Sequence, residues 1–218
     1  RFFITMNTVI IDYGSGNLHS VLKSFQEVAN FNKKDNVILT SDPKLIRSAD
    51  KVVLPGVGSF NDCLNGLKSN KDLFYNLSKR VLKEGVPFLG ICVGLQLLAD
   101  YGHENVINTP GLGWLGGEVT KIYSEDKNTK IPHMGWNSLI FDKEHPLTKK
   151  LTSEDDMYFV HSFHIKLKDI SDRLAYVNYS GELTAIVAKD NICGTQFHPE
   201  KSQKVGQIFI ENFMNWSP

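Results

Sequence analysis

The chain has 218 residues, and its 24 Lys and Arg residues balance its 24 Asp and Glu residues, so its formal net charge is zero. A balanced charge argues against a protein that binds nucleic acid through strong non-specific electrostatics. No stretch of the sequence approaches the roughly 18 apolar residues that a membrane-spanning helix needs, so neither nucleic acid nor a membrane is a predicted partner.

The composition, 41% hydrophobic and 22% charged, is ordinary for a globular protein and favours a single domain over residues 1–218. Met6 is a natural start, in which case residues 1–5 are an upstream extension. The three cysteines, Cys63, Cys92 and Cys193, form no C-x-x-C pair, which disfavours both a disulfide framework and a cysteine zinc site. A reducing, cytoplasmic location without metal or cofactor is the prediction.

Strand and helix signals alternate in the first half of the chain. Apolar spacings of three and four predict helices over 18–28 and about 72–84, and Asp42-Pro43 predicts the start of another. Strands separated by helices of about 10–15 residues predict a mostly parallel sheet that is covered on both faces. The predicted strands of this half lie at 8–13, 37–39, 51–54 and 87–91.

The second half of the chain predicts strands with little helix between them, which favours antiparallel additions to the sheet. A helix over 203–216 closes the chain. The fold class is therefore α/β, with an open, mostly parallel central sheet, helices on both faces and antiparallel additions. The predicted strands of this half lie at 118–123, 157–160, 174–179, 184–188 and 192–197.

The most specific local motif is Gly90-Ile91-Cys92-Val93-Gly94, between a buried strand and a helical run. It has the G-x-nucleophile-x-G pattern, in which two glycines permit a tight strand-to-helix turn that exposes the middle side chain. A helix N-terminus also favours a thiolate, the reactive form of cysteine. The motif predicts Cys92 as a nucleophile; the alternative is a buried cysteine that packs as a small apolar residue.

A base for that nucleophile is predicted at Gln196-Phe197-His198-Pro199-Glu200, which follows the last strand signal. A thiol nucleophile needs a base, and the base needs a carboxylate to orient it. His198 and Glu200 are two residues apart, so in extended chain both project the same way, and Pro199 disfavours a helix there. The alternative is a surface histidine at a strand end.

An oxyanion-binding turn is predicted at Pro55-Gly56-Val57-Gly58, which ends the third strand. A tetrahedral oxyanion needs two oriented N–H donors. The turn can present one donor at Gly56-Val57, and the N–H of Val93, after the nucleophile, can supply the other. Because Gly56 and Gly58 flank Val57, a peptide flip there meets little steric penalty; the alternative is a plain strand-ending loop.

With these motifs, the chain resembles the class I (triad) glutamine amidotransferase family, and within it the glutaminase subunits of imidazole glycerol phosphate synthases. The resemblance covers nearly the whole chain, from Val9 to about Phe213. It rests on the segments IDYGSGNL (11–18), LPGVGSF (54–60), GICVGLQ (90–96), IPHMGWN (131–137), YFVHSF (158–163) and QFHPEKS (196–202).

The resemblance implies a Cys92, His198 and Glu200 triad that hydrolyses L-glutamine to glutamate and ammonia. It implies that Gln96, Glu104, His161 and Ser162 bind the glutamine. It also implies a heterodimer with a (β/α)8-barrel cyclase, through which ammonia passes to make imidazole glycerol phosphate and AICAR in histidine biosynthesis. The positions that match the docking face of the family are Gly14, Asn17, Pro132, Trp136, Asn137, Tyr158 and Lys201.

Two alternatives stay open. His19, Val93 and Leu95 depart from the residues that are usual in the histidine-pathway proteins. The segments 113–118 and 188–192 resemble a paralogous branch, the glutaminases that supply ammonia to amidotransferases of bacterial surface-sugar synthesis. The other alternative is a non-enzymatic regulatory subunit on the same fold, which the intact triad disfavours.

Overall fold

The computed structural model describes residues 6–15, 17–32, 35–104 and 108–218. The predicted extension over residues 1–5 lies outside the described residues, as does Gly16 of the segment IDYGSGNL (11–18). Within these ranges, no helix combines the length and the apolar character that crossing a membrane requires.

The strands of the described residues form one large sheet and two small ones. In chain order they are β1 (Met6–Ile11), β2 (Asp35–Thr40), β3 (Lys51–Gly56), β4 (Phe88–Cys92), β5 (Tyr101–Gly102), β6 (Thr109–Pro110), β7 (Gly117–Lys121), β8 (His133–Ser138), β9 (Ile140–Phe141), β10 (Asp156–His161), β11 (Phe163–Leu167), β12 (Arg173–Asn178), β13 (Glu182–Lys189) and β14 (Ile192–Thr195).

The large sheet has the strand order β2-β1-β3-β4-β14-β13-β12-β9. The first five strands of this order are parallel, and the last three are added antiparallel. Every residue of β3, β4 and β14 is buried, as expected where helices cover both faces of a parallel sheet. The predicted fold class is confirmed.

The helices are α1 (Leu18–Asn32), α2 (Pro43–Arg47), α3 (Phe60–Ser69), α4 (Lys71–Ser78), α5 (Val93–Gln96) and α6 (Gln203–Asn215). Side-chain caps fix the starts of α2 and α3: Asp42 accepts from the Lys44 N–H at 2.8 Å, and Ser59 accepts from the Asp62 N–H at 3.1 Å. A π-helical turn (Lys79–Lys83) continues α4 and completes the helical stretch predicted over 72–84.

The helix after the cysteine motif is shorter than its leucine pattern predicts, because α5 ends at Gln96. The carbonyls of Leu97, Leu98 and Ala99 instead accept N–H groups from residues 112–115. These loop hydrogen bonds replace those that another helical turn would make. The short helix leaves Gln96 next to the end of the sheet.

Candidate active site

Cys92 sits on a strained strand-to-helix turn at the end of β4, with φ 54° and ψ −110°. The two flanking glycines are needed for close backbone packing. A Cβ on Gly94 would lie 1.9 Å from the Leu54 carbonyl oxygen, and a Cβ on Gly90 would lie 2.6 Å from the Gly94 oxygen. The turn is therefore held by contacts that tolerate no side chain at either glycine.

The parallel register brings the predicted site segments to Cys92. Gly56, the last residue of β3, pairs with Cys92 itself, and Thr195, the last residue of β14, pairs with Ile91. The oxyanion turn follows Gly56, and the histidine segment follows Thr195. Both segments therefore leave the sheet beside the sulfur, as expected at the carboxyl ends of neighbouring parallel strands.

His198 and Glu200 form a buried pair in which His198 Nδ1 donates to Glu200 Oε1 at 2.8 Å. The expectation of extended chain here is wrong, because Pro199–Lys201 forms a 3-10 turn. Proline is tolerated in the first turn of a helix, where its missing N–H has no partner in any case. The turn brings the carboxylate back to the ring, and the Tyr158 carbonyl accepts the His198 N–H at 3.0 Å.

The surroundings of His198 favour its charged form. Burial lowers the pKa of His198, but the interactions with Cys92 and with the Glu200 carboxylate outweigh burial and raise it to about 10. Ring atom Nε2 is buried and makes no hydrogen bond within the described part of the chain. That nitrogen is the one left for proton transfer, since Nδ1 is occupied by Glu200.

The oxyanion turn is held by side chains from the loop after β1 and from α3. The Val57 carbonyl accepts from Ser15 Oγ at 2.9 Å and from Cys63 Sγ at 3.3 Å. Burial raises the pKa of Cys63, so its thiol keeps the proton that it donates. Tyr13 donates its hydroxyl to the Pro55 carbonyl at 2.7 Å. One orientation of the Val57–Gly58 peptide is therefore fixed by a hydroxyl and a thiol.

A cavity of about 660 Å³ opens onto Cys92. It brings together most of the predicted catalytic, oxyanion-binding and glutamine-binding side chains. Two predicted residues, Gly56 and Glu200, are not among the residues that line it. The predicted residues that line it are Asn17, Val57, Cys92, Val93, Gln96, Glu104, Pro132, His161, Ser162, His198 and Lys201.

Among the predicted substrate residues, Glu104 presents a carboxylate to the cavity. Its Oε2 accepts the Phe60 N–H at 2.6 Å. Burial, helped by nearby Asp62, raises the pKa of Glu104 above its ordinary value although the Phe60 N–H opposes the shift. An acidic group at one end of the cavity suits a substrate that carries an amino group.

His161 lies in a chain of buried hydrogen bonds that fixes its tautomer. Its Nδ1 must donate to the Phe163 carbonyl at 2.8 Å, so Nε2 accepts from His133 Nδ1 at 3.0 Å. Asn137 in turn donates its Nδ2 to His133 Nε2 at 3.3 Å. Burial lowers the pKa of His133 to about 4 and that of His161 to about 3, which keeps both rings neutral.

Two buried glutamines continue this network to the nucleophile. Gln96 donates Nε2 to the Phe163 carbonyl at 2.9 Å and to Gln196 Oε1 at 3.0 Å. Gln196 Nε2 lies 3.6 Å from Cys92 Sγ. Neither Gln196 nor His133 is predicted as a site residue from the sequence, although Gln196 is two residues before the predicted base.

Three of the predicted docking residues, Asn17, Pro132 and Lys201, line the cavity. Trp136 is 47% exposed, and its ring packs edge-on against Tyr158, which pairs with it between β8 and β10. Lys201 Nζ lies 5.8 Å from the centre of the Tyr158 ring. Gly14 is exposed as well. Asn137 differs, because its amide nitrogen faces inward to His133 and to the Asn178 carbonyl.

The other two cysteines are part of the core, as predicted. Cys63 and Cys193 are both fully buried, and burial raises the pKa of each thiol. In the described ranges, no group of three His, Cys, Asp or Glu side chains has a geometry that could hold a metal ion.

Comparisons with known proteins point to one family over nearly the whole length of the chain. The family model described as glutamine amidotransferase class-I matches residues 9–216. A protein of Ruegeria pomeroyi named imidazole glycerol phosphate synthase subunit HisH is 47% identical, and the alignment covers 98% of this chain and 100% of that one. The protein of the same name from Bradyrhizobium diazoefficiens is 48% identical with the same coverage.

A solved glutamine amidotransferase from Thermotoga maritima superposes with a TM-score of 0.64 at 18% identity. The match covers 96% of this chain and 83% of that one. At that identity the match supports the fold alone.

Proposed function

This chain belongs to the class-I glutamine amidotransferase family, and we propose that it hydrolyses glutamine with a Cys92, His198 and Glu200 triad. It is the glutaminase subunit of an imidazole glycerol phosphate synthase in histidine biosynthesis. Relatives of that name at 47% and 48% identity over essentially the full length support this pathway over the surface-sugar paralogue.

The first half-reaction forms a thioester. The Cys92 thiolate attacks the side-chain carbonyl carbon of glutamine, and the N–H of Val93 and the Gly56-Val57 turn stabilise the oxyanion. His198 gives its Nε2 proton to the leaving nitrogen, which departs as ammonia. The raised pKa of His198, to about 10, supports an imidazolium that is ready to act as this acid.

The second half-reaction hydrolyses the thioester. His198, now neutral, takes a proton from water, and the hydroxide attacks the thioester carbonyl. Collapse of the tetrahedral intermediate expels the Cys92 thiolate and releases glutamate. Glu200 orients the ring through Nδ1 in both steps. The pair of thiolate and imidazolium is restored at the end of the cycle.

Substrate binding uses polar side chains that share the cavity with Cys92. Glu104 binds the α-ammonium group of glutamine by charge, and Gln96, His161 and Ser162 hold the rest of the molecule. The shared cavity of these four side chains with Cys92 supports this assignment.

A partner synthase subunit receives the ammonia. The partner is a (β/α)8-barrel cyclase that docks on the rim formed by Gly14, Asn17, Pro132, Trp136, Asn137, Tyr158 and Lys201, and the complex works in the cytoplasm. The exposed Trp136 ring, which packs edge-on against Tyr158, supports such a rim, since aromatic side chains are enriched at protein interfaces. Ser15 and Cys63 hold the Val57 carbonyl in the resting conformation, and docking frees the turn so that the N–H of the adjacent Gly56–Val57 peptide reaches the oxyanion.

The observation that carries the proposal is the buried His198–Glu200 pair beside the strained Cys92 turn. In the test, Cys92→Ala and Cys92→Ser are assayed for glutamate release with the cyclase present. Both should fall below about 1% of the unchanged chain, because no other thiol lines the cavity in the described residues.

Cys193→Ala is the matched control, since it removes a buried thiol from the same sheet without touching the cavity. It should keep most of the activity. Activity of Cys92→Ala above a few per cent, with cyclase binding intact, would refute the triad.

A further inference from the structure

The Cys92 sulfur has a second buried polar neighbour besides His198. Gln196 is fully buried, and its side-chain nitrogen lies 3.6 Å from the sulfur. Gln196 directly follows β14, whose last residue pairs beside the nucleophile, at Ile91. The group that Gln196 presents to the sulfur is therefore held there by the parallel register of the central sheet.

Hydrogen-bond polarity decides which end of the Gln196 amide faces the sulfur. The Phe163 carbonyl can only accept, so the Gln96 atom that lies 2.9 Å from it is the amide nitrogen. The same nitrogen donates to Gln196 Oε1 at 3.0 Å. With Oε1 occupied, the N–H end of Gln196 is the one directed at Cys92.

We propose that Gln196 is a further catalytic residue, an N–H donor that stabilises the Cys92 thiolate and holds it in position for attack. The proposal rests on the function proposed above. A thiolate accepts a hydrogen bond more strongly than a thiol does, because charge strengthens the bond. The Gln196 N–H adds to the positive charge of the His198 imidazolium, so that both groups stabilise the attacking thiolate.

The position of Gln196 also predicts which kinetic constant it affects. Gln196 is not one of the side chains that line the cavity in the described residues, so it does not contact bound glutamine. A group that acts on the sulfur alone should change kcat and leave KM nearly unchanged. Gln96, which does line the cavity, should change both.

The test compares Gln196→Met and Gln196→Glu with the unchanged chain. Both replacements resemble glutamine in size, but neither has an amide N–H. The rate at which iodoacetamide labels Cys92 is measured from pH 5 to pH 10 by peptide mass spectrometry. Gln26→Met, on the exposed face of α1, is the matched control. Glutamine turnover of each variant is then measured in complex with the cyclase.

Under the proposal, the pH at which labelling reaches half its maximum rate rises by about one unit in Gln196→Met and by more in Gln196→Glu. In the complex, kcat falls about tenfold or more, while KM changes less than about threefold. Gln26→Met matches the unchanged chain in both measurements. Circular dichroism and cyclase binding check that each variant is folded. Because the two replacements differ chemically, the test still works if one of them fails to fold.

A labelling profile that overlays the unchanged chain in a folded Gln196 variant would overturn the proposal. A rise in KM with constant kcat would also overturn it, since that result assigns Gln196 to substrate binding. Labelling needs no glutamine turnover, so these failures are distinct from failure of the proposed function. That failure would appear as an inactive unchanged chain.

Discussion

The nucleophile turn and the oxyanion turn lie side by side, since Gly56 pairs with Cys92, but they are held in different ways. The nucleophile turn is fixed by backbone packing, with a Cβ on Gly94 only 1.9 Å from the Leu54 oxygen. The oxyanion turn is fixed by two side-chain hydrogen bonds to one carbonyl, and Val57 is 38% exposed.

The difference indicates which part of the site is available for regulation. A turn that is held by backbone contacts has one conformation while the protein is folded. A peptide that is held by two hydrogen bonds can change orientation when a partner offers others, because each bond contributes only about 0.5–1.5 kcal/mol. We therefore expect the rigid turn to carry the chemistry and the softer turn to control turnover.

Glycine replacements provide the most severe test of this difference. Gly94→Ala should destabilise the protein by about 4 kcal/mol or more, because its Cβ meets backbone that cannot move away. Gly58→Ala has open space around its Cβ and only a strained φ of +97°, so it should cost about 1–2 kcal/mol. Urea unfolding of the two variants measures both values, and equal losses would contradict the comparison.

Changes in the triad should affect the chemistry and not the fold. His198→Asn should lower kcat about a thousandfold or more, and Glu200→Gln at least tenfold less, since the carboxylate acts only through the ring. Glutamate release by the complex measures both. A larger loss in Glu200→Gln than in His198→Asn would mean that the two roles are assigned wrongly.

The unchanged chain and Glu200→Gln should differ in how their activity depends on pH. The pKa of His198 is raised to about 10, so the proton needed by the leaving ammonia is present below that pH and lost above it. Activity should therefore decline on the alkaline side near pH 10. In Glu200→Gln the decline should begin at lower pH, because the charge that stabilises the imidazolium is absent; an unshifted or higher midpoint would contradict this.

Loosening the oxyanion turn should have the smallest effect. Ser15→Ala or Cys63→Ala removes one of the two donors to the Val57 carbonyl, so the partner-free kcat should rise about two- to tenfold. The kcat of the complex should change little, because under the proposal docking already releases the turn. Ser69→Ala, which removes a hydroxyl bonded to Gly66 on α3, is the control. Unchanged partner-free kcat in both variants would exclude this restraint.

Local signals in the sequence were sufficient for the central sheet and for the triad candidates. The apolar runs of β1, β3 and β4 and the glycines around Cys92 are short patterns whose physical meaning does not depend on distant residues. The two glycines of the oxyanion turn look equivalent in sequence but differ in the fold. Gly56 is closely packed, with a Cβ position 2.7 Å from the Gly94 nitrogen, whereas Gly58 is open.

Features that depend on distant contacts were not predictable. The end of α5 is set by hydrogen bonds from residues 112–115, and the direction of the Gln196 amide is set by the Phe163 carbonyl. Strand β8 contains polar residues and Gly135 at φ +135°, so it shows no apolar pattern, and it forms only by pairing with β10.

The most direct test of the account is glutamine turnover by the chain alone, with the cyclase, and with the cyclase and its acceptor ligand. The account predicts slow turnover by the chain alone and a rise in kcat, larger than any fall in KM, when partner and ligand are added, because a completed oxyanion hole acts on the transition state. Equal kcat under all three conditions would contradict control through the oxyanion turn.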